Sequence, residues 1–388
     1  IDHVDAIKRR PVTVERVDEN SLKVWVGTKK DDDREDLPGW VEDTAQRWAM
    51  YIESENFQSD EDNNIPDDVL RFTVTPDKET AGWYIGTIHG WVRTGKSESD
   101  ALAKTKFSKH ATGAIGAAIE NPWMIACEPF QAEYPTQGRV WNLRSPQLTI
   151  APNPNWEPDA FPTWEAILNH VGTNLTRTTE DNSWCQDVGI LTGGDYVAYW
   201  VAFLLRKPKL HLPYLFLYSM AESTGKSTLH EALSLLINPG VSRADQALQS
   251  QGNFNGELES AVLCIIEETN FGSMRGKGSV LGKIKDWVVG SQIAIHRKVK
   301  TPYLVPNTTH WIHTSNDIDA CPVSAADTRI TMMEVPRLET EIPKELLQRQ
   351  LTEEAPHFLG YLWSLQLPDA KSRLAIPALN TPIKEEAS

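Results

Sequence analysis

A lysine followed by a hydroxyl residue, at the end of a run of small residues, can wrap a triphosphate. Backbone N–H groups point at the phosphates, the ammonium reaches the β- and γ-oxygens, and the hydroxyl holds a magnesium ion. The 388-residue chain offers that arrangement twice. Gly90-Trp91-Val92-Arg93-Thr94-Gly95-Lys96-Ser97 fits the spacing G-x-x-x-x-G-K-S/T at every position, whereas Met220-Ala221-Glu222-Ser223-Thr224-Gly225-Lys226-Ser227-Thr228 has Met220 where the first glycine belongs. Physical reasoning favours the second. Its interior residues permit the curl that Trp91 and Val92 resist. It also lies between a short apolar run, Tyr214 to Ser219, and an apolar-faced helix, Ser227 to Leu236, whose N-terminus would face the anion. Gly90 to Ser97 is read instead as a strand turning into a helix capped near Ser97 or Ser99.

Val262-Leu263-Cys264-Ile265-Ile266-Glu267-Glu268 follows Lys226 by about 40 residues and is an apolar strand ending in two carboxylates. One acid can hold the magnesium shell, and its neighbour can orient and deprotonate an attacking water. Lys226, Ser227, Glu267 and Glu268 are therefore candidates for a site that binds ATP with Mg2+, with Ser227 and one of the two acids on the metal.

These groups need a scaffold. Pro213 to Ser219 is a continuous apolar run bounded by turn residues, as expected of a buried strand in a parallel sheet. Ala261 to Ile266, His310 to Thr314 and Arg329 to Val335 repeat the pattern, and the helices between them predict an α/β core, a central parallel sheet flanked by helices. Four regions are expected. Residues 1–160 form an N-terminal α+β accessory or collar region, with a strand at Leu22 to Val26, helices around 40–56 and 98–120, and irregular chain at 131–163. Residues 161–212 are helical, 213–340 carry the core, and 341–388 comprise helices and a tail expected to be disordered from Pro368. The Trp-rich segments before residue 160 are read chiefly as core, and His310 and His313 as ordinary strand residues rather than ligands.

Composition is globular, 40% hydrophobic and 23% charged, with apolar runs well short of a membrane span. Four dispersed cysteines, Cys127, Cys185, Cys264 and Cys321, fit neither a zinc site nor a disulfide framework and suit a reducing cytoplasm. The start at Ile1, without a leader, is read as a fragment of a longer protein. The net charge of −15 speaks against a nucleic-acid partner only on average, because residues 31–68 carry 14 acidic and two basic side chains. Conversely, Arg275, Lys277, Lys283, Lys285, Arg297, Lys298 and Lys300 are opposed only by Asp286. Such a patch suits phosphates, or else a solvated face.

Taken in order, Lys226-Ser227-Thr228, Ile265-Ile266-Glu267-Glu268 and Thr314-Ser315-Asn316 resemble motifs A, B and C of superfamily III helicases. Ile284 to Tyr303 is similar to that family's further motif, a helix, a glycine turn and a basic β-hairpin. The likeness spans roughly residues 165 to 340 and is closest to the poxvirus-type primase-helicases and the helicase halves of phage primase-polymerases. It implies a P-loop NTPase core of the AAA+-like kind. It further implies that Glu267 holds the metal and Glu268 activates water, that Asn316 senses the γ-phosphate, and that Arg329 is an arginine finger acting on a neighbouring subunit's ATP, hence a homo-oligomer, with rings of about six subunits as the family's form. The same resemblance implies that His296, Arg297, Lys298 and Lys300 grip single-stranded or forked DNA in a central channel, with 3′ to 5′ translocation. It places a primase-polymerase domain upstream in the full-length chain and the protein in the host cytoplasm if phage-encoded. Met220, Ser291 in place of the usual aspartate, and Thr328-Arg329 in place of a pair of arginines depart from the family pattern. Two rival readings remain: a packaging or remodelling ATPase, and a ring that binds nucleotide and DNA as a clamp without useful hydrolysis.

Overall fold

The computed structural model describes residues 67–388 apart from 75–81, 89, 135–137, 144, 250–253, 273–276, 299–300, 325–326 and 371, and before them the backbone of two strands. The chain divides into two compact units, Ile1–Ile65 and Pro66–Ser388. In the first, β1 (Val12–Arg16) and β2 (Leu22–Val26) pair antiparallel with Val12 opposite Val26, so the strand expected at 22–26 is present. The helix expected around 40–56 and nearly all of the acidic segment lie outside the described residues.

The second unit opens with a mixed sheet of β3 (Leu70–Val74), β4 (Gly82–Thr87), β5 (Gly90–Thr94), β6 (Trp123–Ile125) and β7 (Val140–Trp141) in the order β5-β4-β3-β6-β7. Strands β3 to β5 run antiparallel, and β6 and β7 join in parallel. Helices α1 (Lys96–Phe107) and α2 (Ala111–Glu120) supply Ala103, Ala111 and Ala118 to one small core with Leu70 and Trp83. A second core joins Tyr84, Trp123 and Trp141. Arg71 lies buried among aromatic rings, its guanidinium 4.0 Å from the centre of Trp91 and 4.5 Å from that of Trp123. The aromatic side chains of this region thus build core.

A helical layer follows: α3 (Pro162–Gly172), α4 (Thr176–Glu180), α5 (Ser183–Asp187) and α6 (Gly193–Arg206). Thr192 caps α6 by accepting from Asp195 N, and the Asp195 carboxylate accepts from Thr192 N, so both ends of the cap are satisfied. Glycine is required where α3 meets α6. A Cβ on Gly172 would lie 2.2 Å from the Gly193 carbonyl carbon, and one on Gly193 would lie 1.9 Å from Gly172 O, so these helices touch backbone to backbone.

The central sheet comprises β8 (Tyr214–Tyr218), β9 (Val241–Arg243), β10 (Leu263–Glu267), β13 (His310–Ser315) and β14 (Ile330–Glu334), all parallel, in the order β14-β8-β13-β10-β9. Helices α7 (Thr228–Leu236), α8 (Asp245–Gln249) and α9 (Lys277–Trp287) connect its strands, and β11 (Gln292–Ile295) and β12 (Tyr303–Pro306) form a separate antiparallel hairpin. Both faces are covered. Along β8, Leu215 and Leu217 join a core with α3, α6, α7 and the long α10 (Lys344–Ser364), while Tyr214, Phe216 and Tyr218 join another with Ile284, Trp287 and Ile293. Burial on both sides is why these strands read as unbroken apolar runs.

The tail departs from expectation. Leu374, Ala375, Ile376 and Leu379 are buried, and Thr381 Oγ1 donates to Met332 O at 2.7 Å. A last helix, α11 (Pro382–Glu386), sits beyond them. Its prolines and polar residues suggest disorder in sequence, but Ala375, Ile376 and Leu379 join one core of the central sheet and Leu374 joins the other.

Candidate active site

The loop between β8 and α7 begins where a buried parallel strand ends, at the carboxyl edge of the sheet, where loops of open α/β sheets gather ligands. Ser223 and Gly225 take left-handed backbone, with φ of 52° and 74°, which curls the loop. Met220 does not adopt that conformation and its side chain is 82% exposed, so the position imposes no demand for glycine. From below, His170 on α3 places Nε2 2.8 Å from the buried Thr224 O, and Leu338 closes over Gly225. Lys226 is buried at 6% exposure; its ammonium donates to Asn316 Oδ1, and lies 3.4 Å from Ala221 O and 3.5 Å from Thr224 Oγ1. Burial pulls the Lys226 ammonium below its usual range, and Glu268 and then Glu222 oppose that effect.

Asn316 reaches Lys226 because β13 neighbours β8 and ends one residue before it. Strand β10 flanks β13 on the other side, with Glu267 in register with Thr314, and Glu268 N donates to Thr314 O at 2.9 Å. Glu268 also has left-handed backbone, φ 52°, which turns it off the line of the strand. Glu267 Oε1 lies 3.0 Å from His230 Nε2, and Glu267 Oε2 accepts from Arg243 on β9. His230 is three residues beyond Ser227 and so one helical turn along the same face. Burial holds the His230 imidazole below its usual range despite Glu267. Among the described residues, no cluster of three or more His, Cys, Asp or Glu gathers to hold a metal. Magnesium in nucleotide sites takes only one or two protein ligands beside phosphate and water, so Ser227 and Glu267 fit that chemistry.

Arg329 is elsewhere. Ile330 is in register with Tyr214, the first residue of β8, and Tyr214 N donates to Arg329 O at 2.9 Å. Five residues of strand, roughly 16 Å, separate that end from the loop after Tyr218. Within one chain, Lys226, Asn316, Glu267 and Glu268 meet at the carboxyl edge of the sheet, and Arg329 lies at the opposite edge.

The β11–β12 hairpin is anchored through Asn255, whose Nδ2 donates to Ala294 O at 2.9 Å and whose Oδ1 accepts from His296 N at 2.7 Å. Glu259 forms an ion pair with Arg297 and accepts from Tyr303 OH at 2.6 Å. The His296 ring packs 5.1 Å from Phe254, and Lys298 is exposed. Lys300 and Arg275 lie outside the described residues.

A family model described as a family of unknown function, DUF5906, matches residues 217–329, which is the stretch from the middle of β8 to Arg329. No curated protein matches the sequence. Among solved structures, the apo NrS-1 C terminal region superposes with a TM-score of 0.58 and 17% identity, over 82% of this chain and 71% of that one. Its A form gives a TM-score of 0.56 and 16% identity, over 87% and 72%. The chain shares the fold of the NrS-1 C terminal region. A JCV helicase overlaps at a TM-score of 0.28, too little to bear an argument.

The shared NrS-1 fold takes in more than the central sheet, since the superposition reaches well beyond the residues that the family model matches. Outside that match, Gly90 to Ser97 forms β5 and the start of α1. One residue, Gly95, joins them, and its N–H is capped by Glu98 Oε2 at 2.8 Å rather than by Ser97 or Ser99. So short a turn leaves no loop to wrap a phosphate. Sequence reasoning missed His170, His230, Arg243, Asn255 and Glu259. His230 was within reach, one helical turn from Ser227; the others meet the site only through tertiary contacts. His310 and His313 are buried with both ring nitrogens engaged, as expected of structural residues.

Proposed function

We propose that this chain is the motor of an ATP-dependent DNA helicase of superfamily III, with a P-loop NTPase core of the AAA+-like kind. The observation that carries the proposal is the junction of Lys226 with Asn316 at the carboxyl edge of β8, next to the paired acids ending β10. Lys226 and the backbone of Ala221 to Thr228 bind the ATP phosphates, Ser227 and Glu267 hold Mg2+, Glu268 activates water, and Asn316 contacts the γ-phosphate. A carboxylate and an amide at two strand ends, with an ammonium in the loop after a third, suit in-line attack on a terminal phosphoryl group, where positioning and charge neutralisation dominate catalysis. Arg329, roughly 16 Å away at the opposite edge, serves the site of an adjacent copy, which makes the active form a homo-oligomer, a hexameric ring in this reading. Residues His296, Arg297, Lys298 and Lys300 face DNA. Arg297 reaches phosphate by exchanging its Glu259 partner. In the same reading, a primase-polymerase domain precedes this region in the full-length chain.

The test is ATP turnover and strand displacement on a forked duplex for the wild type and Glu268→Gln, with molar mass measured with and without ATP and DNA. Turnover and unwinding lost together in Glu268→Gln, with nucleotide-dependent assembly retained, fit the proposal. Wild-type turnover at background level would leave only the clamp reading, and turnover without strand displacement would favour a motor with another substrate.

A further inference from the structure

Lys384 on α11 is 1% exposed. Burying an ammonium costs several kcal/mol unless it is hydrogen-bonded and paired, and an apolar side chain would fill the same space without that cost. The contacts of Lys384 give it a role. Its Nζ donates to Asp327 O at 2.6 Å, and α11 itself is tied to the sheet through Thr381, which caps it and donates to Met332 O. Asp327 in turn fixes the turn into β14: its Oδ1 accepts from Arg329 N at 2.7 Å, while its fully buried Oδ2 lies 3.9 Å from Arg329 Nη1. Asp327 Oδ2 and Arg329 Nε have no hydrogen-bond partner among the described residues. The guanidinium is therefore held in place by its backbone and by a nearby opposite charge, without being consumed by a short ion pair.

We propose that Lys384 is a positioning residue for Arg329. By gripping the Asp327 carbonyl from the 374–388 segment, it sets the direction in which the guanidinium leaves the edge of the sheet toward an adjacent copy. The proposal rests on Arg329 acting in trans, and the test separates the two claims. Lys384→Met should lower kcat for ATP by about tenfold or more, a part of the roughly 10³-fold that an arginine finger supplies, at unchanged KM and nucleotide affinity. Lys384→Arg should restore much of it. Mixed with Lys226→Ala subunits, which have a dead site but an intact finger, Lys384→Met subunits should regain turnover, as should Arg329→Ala subunits in the same mixture.

If Arg329→Ala is not complemented, the action in trans is wrong. If it is complemented while Lys384→Met keeps wild-type kcat, raises KM alone, or gains nothing from mixing, the positioning role is wrong. Should Lys384→Met fail to fold, Thr381→Val loosens α11 without touching Asp327 and must show the same kcat loss and complementation in weaker form; wild-type kcat there overturns the proposal.

Discussion

Two stretches of this chain invite the same reading and fold differently. Gly90 to Ser97 matches the phosphate-loop pattern letter for letter and becomes a strand, one glycine and a helix. Met220 to Thr228 breaks the pattern at its first position and becomes a curled loop at the carboxyl edge of a parallel strand, with its lysine on Asn316. The contrast teaches that the pattern stands for a geometry. A Gly-Lys-Ser triplet matters when a buried parallel strand ends before it and a helix starts after it. Glycine at the first position matters only if the backbone there is left-handed.

The contrast can be broken most directly at the two lysines. Lys226→Ala should reduce ATP turnover by about 10³-fold or more, as expected when a preorganised charge on the transferring phosphoryl group is removed. Lys96→Ala should leave turnover unchanged in the same assay. A large loss from Lys96→Ala would reverse the assignment. Next in size is the pair of glycines. Gly225→Ala forces a side chain onto φ 74° against Leu338 at 3.2 Å and should cost on the order of 1–2 kcal/mol in stability, together with weaker nucleotide binding. Gly95→Ala meets only the end of the Glu98 side chain and should cost about 1 kcal/mol or less, the scale of a lost helix cap. Denaturant midpoints and nucleotide titrations of the two variants would compare them. Smallest of all is Met220→Gly. Its exposed, ordinary backbone predicts a change in turnover of less than about twofold, and a large gain would mean that the position limits the loop after all.

Acid sensitivity sharpens a related contrast between the buried strand and its exposed loop. Burial pulls His310 down to about 4 and His313 down to about 3. The unfolded chain takes up these protons near the ordinary histidine value, so the stabilisation is complete above that value and is lost as pH falls from about 6.5 toward 4 and 3. The loss should reach on the order of 3 kcal/mol for His310 and about 5 kcal/mol for His313 across that window. Urea midpoints at pH 7.5 and 5 should differ, and His313→Asn should flatten the difference. Equal slopes for variant and wild type would contradict the assignment.

Much of this was legible beforehand for physical reasons. Strands β8, β10, β13 and β14 are buried on both faces and announce themselves as apolar runs, and the two acids after Ile266 stand out at the end of such a run. Strand β9 was not legible, since three residues with a serine and an arginine carry no periodicity, and its place at the sheet edge comes from pairing with β10. The partners of Glu267 were hidden for the same reason, because Arg243 reaches it across a strand pair rather than along the chain. Charge alone also overstated the freedom of the hairpin: Arg297 looks solvated in sequence, and Glu259 takes it up. The order of the tail is not legible because its apolar residues are too few to form a core alone and are covered by the two cores of the central sheet.

The glycine crossing between α3 and α6 has a mechanical consequence. His170, which grips the loop carbonyl of Thr224, sits half a turn before Gly172, where the two backbones meet with no side chain between them. Side-chain packing can slip through rotamer changes, but backbone against backbone has no such slack. The floor of the loop and the helical layer therefore form one stiff lever, and a displacement at the loop should reach α6 undamped.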